Sequence, residues 1–301
     1  MVVLENDAVR LACEPDVGAR ITSLIDRRTG RDWLVSGTQP RTTAAWAAED
    51  AVFGGAEAFG WDECLPTVAR CPDPADANAP ALRDHGEQWG RPTDVEATDD
   101  RLVATWTRSR WPLRFSRTIT LAGAAVVCEY ELVAGAGQAM PVLWSMHALL
   151  ALEPGSRIVL EPGGHARVTH QEGVPLAPGL ETVAWPGGAA ALDVVRGVDA
   201  RCAAKLYLDA RSLTRVAAQA TDGSEVQFAW DRAFAPALGI WLDFGGWPPG
   251  ESRHQVAIEP TTSADDDLAS AIAAGRARIL EPGTPQRWKV RLELATASRD
   301  P

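Results

Sequence analysis

Along Trp288-Lys289-Val290-Arg291-Leu292-Glu293-Leu294, apolar and charged side chains alternate without a break. A period of two belongs to a β-strand with one face in a core and the other in water; an amphipathic helix would repeat its apolar residues every three or four positions. Similar runs occur at 115–121, 126–133, 205–208, 226–230 and 239–244, mostly separated by Gly, Pro, Asp or Asn. Many short strands in one chain predict an all-β fold, a large β-sandwich with few short helices. One helix is expected near the C-terminus. Ser263 can cap it, Asp265, Asp266 and Asp267 sit at the positive end of its dipole, Leu268 and Ile272 share a face, and Gly275 can end it. It is expected to pack beside Glu259. No internal repeat is present, and the Pro/Ala/Asp-rich stretch 71–80 reads as a surface loop, so a single domain over 1–301 is expected.

With 301 residues, 46% of them apolar, the chain can bury a large core, and disorder is excluded. A formal charge of -11 repels phosphate backbones and anionic lipid, and no local basic patch offsets it, so neither nucleic acid nor a membrane surface is an expected partner. The five cysteines, Cys13, Cys64, Cys71, Cys128 and Cys202, are odd in number and lack a C-x-x-C spacing, which argues against a disulfide framework and a zinc site. Reduced thiols, no signal-like N-terminal segment and no apolar run of about 18 residues lead to the expectation of a soluble, cytoplasmic protein.

The segment Gln255-Val256-Ala257-Ile258-Glu259-Pro260-Thr261-Thr262 ends an apolar run on a carboxylate and then meets proline. Upstream, Arg83-Asp84-His85-Gly86-Glu87-Gln88-Trp89-Gly90 sets a histidine beside a glycine that permits close backbone approach. Tryptophan outnumbers the other aromatics, 12 against six Phe and two Tyr, and an indole suits the C–H face of a pyranose. Core packing accounts for Trp33, Trp106, Trp144, Trp230 and Trp288, which lie within or beside strand patterns. Trp61, Trp89, Trp241 and Trp247 stay open between packing and sugar contact; the last follows Gly245-Gly246 and precedes Pro248-Pro249 in a loop. Asp62, Glu63, Asp84 and Glu87 add carboxylates that can accept hydrogen bonds from vicinal hydroxyls.

These motifs together resemble the aldose 1-epimerase (galactose mutarotase-like) superfamily, in particular its divergent bacterial aldose-epimerase-like branch. The matching stretches are Gly18-Ala19-Arg20-Ile21-Thr22-Ser23-Leu24, Gly60-Trp61-Asp62-Glu63-Cys64-Leu65-Pro66-Thr67, Asp84-His85-Gly86-Glu87, His147 after a strand, Leu238-Gly239-Ile240-Trp241 and Ile258-Glu259-Pro260-Thr261-Thr262. The resemblance implies a β-supersandwich whose concave sheet holds a sugar, and a mutarotase activity that needs neither cofactor nor metal. It implies Glu259 as general base, His147 as general acid toward the ring oxygen, and His85 as a ligand of the ring oxygen or a neighbouring hydroxyl. His147 lies in Trp144-Ser145-Met146-His147-Ala148 rather than in the Asn-His pair of better-known mutarotases. Asp209 is one counterpart of the family's further aspartate.

Mutarotation requires a proton removed from the anomeric hydroxyl and another delivered to the ring oxygen. A carboxylate with a pKa raised by burial and an imidazolium would meet those needs. The expected partner is a monosaccharide or small saccharide, with a homodimer left open. Only Arg41, Arg83 and Arg91 suggest a phosphate grip, which favours an unphosphorylated sugar. Two other classes stay in view: a glycosidase pairing Glu259 with Glu63 or Glu87, and a sugar-binding protein without turnover. A glutamate paired with an arginine such as Arg253, and histidines satisfied in a core, are the structural alternatives; His165, His170 and His254 are given that plainer reading.

Overall fold

The computed structural model describes residues 1–37, 43–54, 58–107, 111–177 and 179–297; Arg41 lies outside them. Two antiparallel sheets dominate. The larger runs in the order Val2–Glu5, Val9–Glu14, Arg20–Asp26, Trp61–Cys64, Ser145–Leu150, His254–Thr261, Ala237–Phe244, Cys202–Asp209, His165–Glu172 and Thr182–Ala184, with Arg31–Asp32 paired beside Arg20–Asp26. The second runs Arg157–Glu161, Arg215–Gln219, Glu225–Trp230, Gln286–Ala295, Ala125–Ala134, Leu113–Ala122, Arg101–Trp106 and Asp94–Ala97. This is the all-β sandwich predicted from the strand periodicity.

The C-terminal strand behaves as its alternation dictates. Trp288, Val290, Leu292 and Leu294 are buried, while Lys289 and Arg291 are exposed and Glu293 is half-buried. Trp288 stacks on Phe234 at 3.8 Å and on Tyr130 at 5.0 Å, and meets Trp144 edge-on at 5.0 Å, forming an aromatic layer between the sheets. Rings offset or tilted at such separations add to the gain from burial alone. Within this layer Glu63 accepts hydrogen bonds from Arg117 Nη1, Tyr130 Oη and Trp144 Nε1, each at 2.9 Å, and from Trp61 Nε1 at 3.2 Å. Four donors on one carboxylate satisfy a charge that would otherwise be costly to bury.

The expected C-terminal helix is present but shorter, Leu268–Ala273, and its cap is Asp267 rather than Ser263. Asp267 accepts from the Ser270 N–H, whereas the Ser263 hydroxyl donates to Asp265 at 2.7 Å. Leu268 is buried with Ala271, while Ile272 is 37% exposed, so the apolar face follows an i, i+3 line and not the expected i, i+4 one. Gly275 sits just beyond the helix at φ +66°.

Candidate functional site

Strand register assembles the site. Asp62 lies opposite His147, Glu259 opposite Gly239, and Gly239 opposite Tyr207. The pairs Ser145 with Thr261 and Leu149 with Ala257 bracket His147 and Glu259, which therefore also face each other. One cross-strand row thus runs Asp62, His147, Glu259, Gly239, Tyr207 on a single face of the larger sheet. Because side chains alternate, the neighbours Trp61, Glu63, Met146 and Ile258 point the other way, into the inter-sheet core.

The row borders a cavity of about 440 Å³, lined by Phe53, Asp84, His85, His147, Lys205 and Trp241, with Trp247, His170, Arg253, Gln255 and Asp266 among its further walls. His85 enters from a loop at φ +56°, left-handed backbone that is uncommon outside glycine. Gly86 beside it has φ +81°, and a Cβ there would sit 2.5 Å from Leu65 backbone atoms, so only glycine lets this turn dock on Leu65. Asp84 anchors the same loop: Oδ2 accepts from the Phe53 N–H at 2.7 Å, Oδ1 lies 3.0 Å from His85 Nδ1, and its carbonyl accepts from Trp89 Nε1 at 2.6 Å. Phe53 stacks on His85 at 4.1 Å, and the two imidazoles of His85 and His147 meet edge to face at 4.9 Å.

Glu259 is fully buried behind the cavity wall. Lys205 Nζ donates to its Oε2 at 2.6 Å, and its Oε1 lies 3.9 Å from His147 Nε2. Neither Glu259 Oε1 nor His147 Nδ1, both buried, has a hydrogen-bond partner among the described residues. Burial alone would raise the Glu259 pKa, yet the Lys205 ammonium, helped by His147 and His85, overrides it and holds the carboxyl below its ordinary range. Burial pushes the His147 imidazole down to about 3, with Glu259 opposing the shift only in part. Both directions correct the sequence expectation: the glutamate is not a carboxylate of raised pKa, and His147 is neutral near pH 7 rather than an imidazolium. For Asp84, burial acts upward, but the bond to His85 and the Phe53 N–H carry the net shift downward. An ionised Asp84 makes His85 Nδ1 the donor and leaves Nε2 for a ligand.

Of the other residues singled out in the sequence, Trp241 and Trp247 line the cavity, Trp247 being 43% exposed at its mouth. Asp62 lies on the site face but is held by Arg20, whose Nε and Nη2 sit 3.0 and 2.8 Å from its two oxygens. Trp89 is fully buried beneath Phe53 and the Arg83 guanidinium, so it supports the His85 loop and does not line the cavity. Glu87 is paired with Arg91 away from the cavity. Trp61 and Glu63 are in the core, where the alternation of a strand must put the neighbours of Asp62; their proposed sugar contacts do not fit this placement, and neither Glu63 nor Glu87 forms a glycosidase pair with Glu259. Asp209 caps a short 3-10 turn and binds Arg211. Arg83 is spent on the carbonyls of Ala48, Gly86, Trp89 and Trp46, and Arg253 pairs with Glu251 and not with Glu259. His254 binds the Arg196 carbonyl, whereas His170, given a plain role above, lines the cavity 5.0 Å from Trp247.

Lys205, Phe53 and Arg20 were not singled out. Lys205 had a signal: it is the lone charge before the last residue of Cys202–Asp209, a strand otherwise buried over its first seven positions. Phe53 sits in an irregular segment where no period exists to read.

At the level of sequence the chain matches no family model and no curated protein. Solved structures match it over nearly its whole length. A candidate aldose 1-epimerase from Klebsiella pneumoniae superposes with a TM-score of 0.74 at 14% identity, covering 97% of this chain and 78% of that one. A galactose mutarotase-like protein from Lactobacillus casei gives 0.66 at 14% identity, covering 98% and 99%, and a galactose mutarotase related enzyme from Lactobacillus acidophilus gives 0.67 at 16%, covering 99% and 98%. The chain therefore has the galactose mutarotase-like fold. Identities this low speak for the fold alone.

Proposed function

We propose that the protein interconverts the anomers of a sugar by acid–base ring opening, as an aldose 1-epimerase does. The observation that carries this reading is the convergence of His85, His147 and Glu259, which are 62 and 112 residues apart in sequence, at one cavity on a mutarotase-like sheet. Glu259 is the base: its Oε1 accepts no hydrogen bond from the described residues. His85, oriented by Asp84, and neutral His147 offer ring nitrogens to sugar hydroxyls, while Trp241 and Trp247 offer indole faces to the C–H side of the ring. Arg83 and Arg91 are held by other groups, and Arg253, which does line the cavity, is paired with Glu251, which favours an unphosphorylated sugar.

Polarimetry or saturation-transfer NMR on freshly dissolved aldoses, with the spontaneous rate subtracted, tests this. Glu259→Gln, which keeps shape and accepts the Lys205 hydrogen bond but cannot take the anomeric proton, is expected to lose about 10²–10⁴-fold in rate while staying folded. Undiminished acceleration by the folded variant would remove Glu259 from the mechanism. A second reading, sugar binding without turnover, is favoured by one feature, the neutralisation of a fully buried Glu259 by Lys205. Tight binding by calorimetry, with no sugar's mutarotation accelerated, would select it.

A further inference from the structure

We infer that Lys205 is the proton donor of this site, exchanging a proton with the ring oxygen while Glu259 exchanges one with the anomeric hydroxyl. The inference rests on the anomer-interconverting reading above and supplies the acid that reading lacks. Three observations on geometry carry it. Lys205 lines the cavity, whereas Glu259 lies behind the wall. Its Nζ has three protons, and the 2.6 Å contact with Glu259 Oε2 engages one of them. Gly239, opposite Glu259 in the neighbouring strand, keeps the space clear, since a Cβ there would come within 3.1 Å of both Glu259 Oε2 and the Tyr207 ring.

The chemistry balances without any outside group. The O1–H bond breaks and its proton passes to Glu259 Oε1 through neutral His147, which lines the cavity with Nε2 3.9 Å from that oxygen and gives up one ring proton as it takes another; the C1–O5 bond breaks as C1=O1 forms, and O5 takes a proton from Lys205. Ammonium and carboxylate become amine and carboxylic acid. After rotation about C1–C2, ring closure returns both protons. A buried ion pair thus turns into a buried neutral pair and back, and no net charge is moved through the desolvated site. Burial holds His147 neutral near pH 7, and a buried ion pair is by itself a poor source of stability.

The titratable and charged groups around Lys205 are Glu259, bonded to it, His147, His85 with Asp84, His170, Asp266 and Arg253 of the same cavity and, on its own strand, Tyr207, whose ring centre is 5.3 Å from Nζ. The test uses a sugar that the wild-type chain turns over. Its kcat/KM is expected not to fall through about pH 6.5, above which an imidazolium donor would lose activity. Lys205→Arg keeps the positive charge but cannot release a proton, so kcat is expected to fall about 10²–10⁴-fold with KM within a few-fold. Lys205→Ala should be rescued by methylammonium but not by guanidinium, after subtraction of amine-catalysed mutarotation measured without protein. Wild-type turnover by Lys205→Arg, a profile falling through about pH 6.5, or equal rescue by the two cations would each overturn the inference while leaving the parent reading intact. No acceleration of any aldose by the wild-type chain would overturn both.

Discussion

His147 shows how burial sets the chemistry of a residue that its motif alone leaves open. In the unfolded chain this imidazole takes up a proton at about pH 6.5, but in the folded protein burial delays uptake to about pH 3. Between those values the unfolded state binds the extra proton, so the contribution to stability is present above about pH 6.5 and drains as pH falls. From pH 7 to pH 5 the loss assignable to His147 is about 2 kcal/mol. Thermal or urea unfolding of wild type and His147→Asn at the two pH values should show the variant's decline to be smaller by about that amount. Equal declines would mean that His147 is not held neutral. Glu259, with its pKa held down, acts in the same direction at lower pH, losing its contribution as the solution passes below the ordinary carboxylate range.

Strands decide which of several neighbouring residues reaches the site, and here the sequence was informative in a lopsided way. The alternation of Gln286–Ala295 was legible because its four charged residues, Arg287, Lys289, Arg291 and Glu293, fall on every second position; Trp61–Cys64 is buried at every position, so nothing in composition separates the face of Asp62 from that of Glu63. A one-residue parity therefore divides Asp62 on the site face from Trp61 and Glu63 in the core, and grouping all three as sugar contacts overlooked it. Cys202–Asp209 poses the converse case, where a lysine in a buried strand marked the site but was passed over. Glu259, His85 and His147 were pointed to by their motifs, whereas the protonation states of Glu259 and His147 depend on Lys205 and on burial, which no motif spells out. The Ala237–Phe244 strand offers a test at this scale. Gly239→Ala should force Glu259 Oε2 away from Lys205 and depress turnover at least tenfold, at a stability cost of about 1–3 kcal/mol from overpacking. A crystal structure of the variant with an unmoved ion pair, or unchanged kcat, would contradict this.

Across the whole molecule, the two sheets are joined by a polar knot set inside an apolar core. Arg117, on the second sheet, reaches Glu63 on the first and also donates to the Ala19 carbonyl, both sides of the ion pair being fully buried. Replacing Arg117 by Met leaves Glu63 short of its cationic partner and is expected to cost about 3–5 kcal/mol, read by urea unfolding; a loss under about 1 kcal/mol would show that the hydroxyl and indole donors suffice. The cross-strand row has its own consequence for how the chain assembles this site. Arg20, Asp62, His147, Lys205 and Glu259 come from five strands spread over most of the sequence, each needing its neighbour in register before the next can be placed. Contacts so distant along the chain form late in folding. No short fragment carries the site, and the proposed turnover would therefore report on the completed sheet: during refolding it should return after the bulk of the far-ultraviolet circular dichroism, not with it.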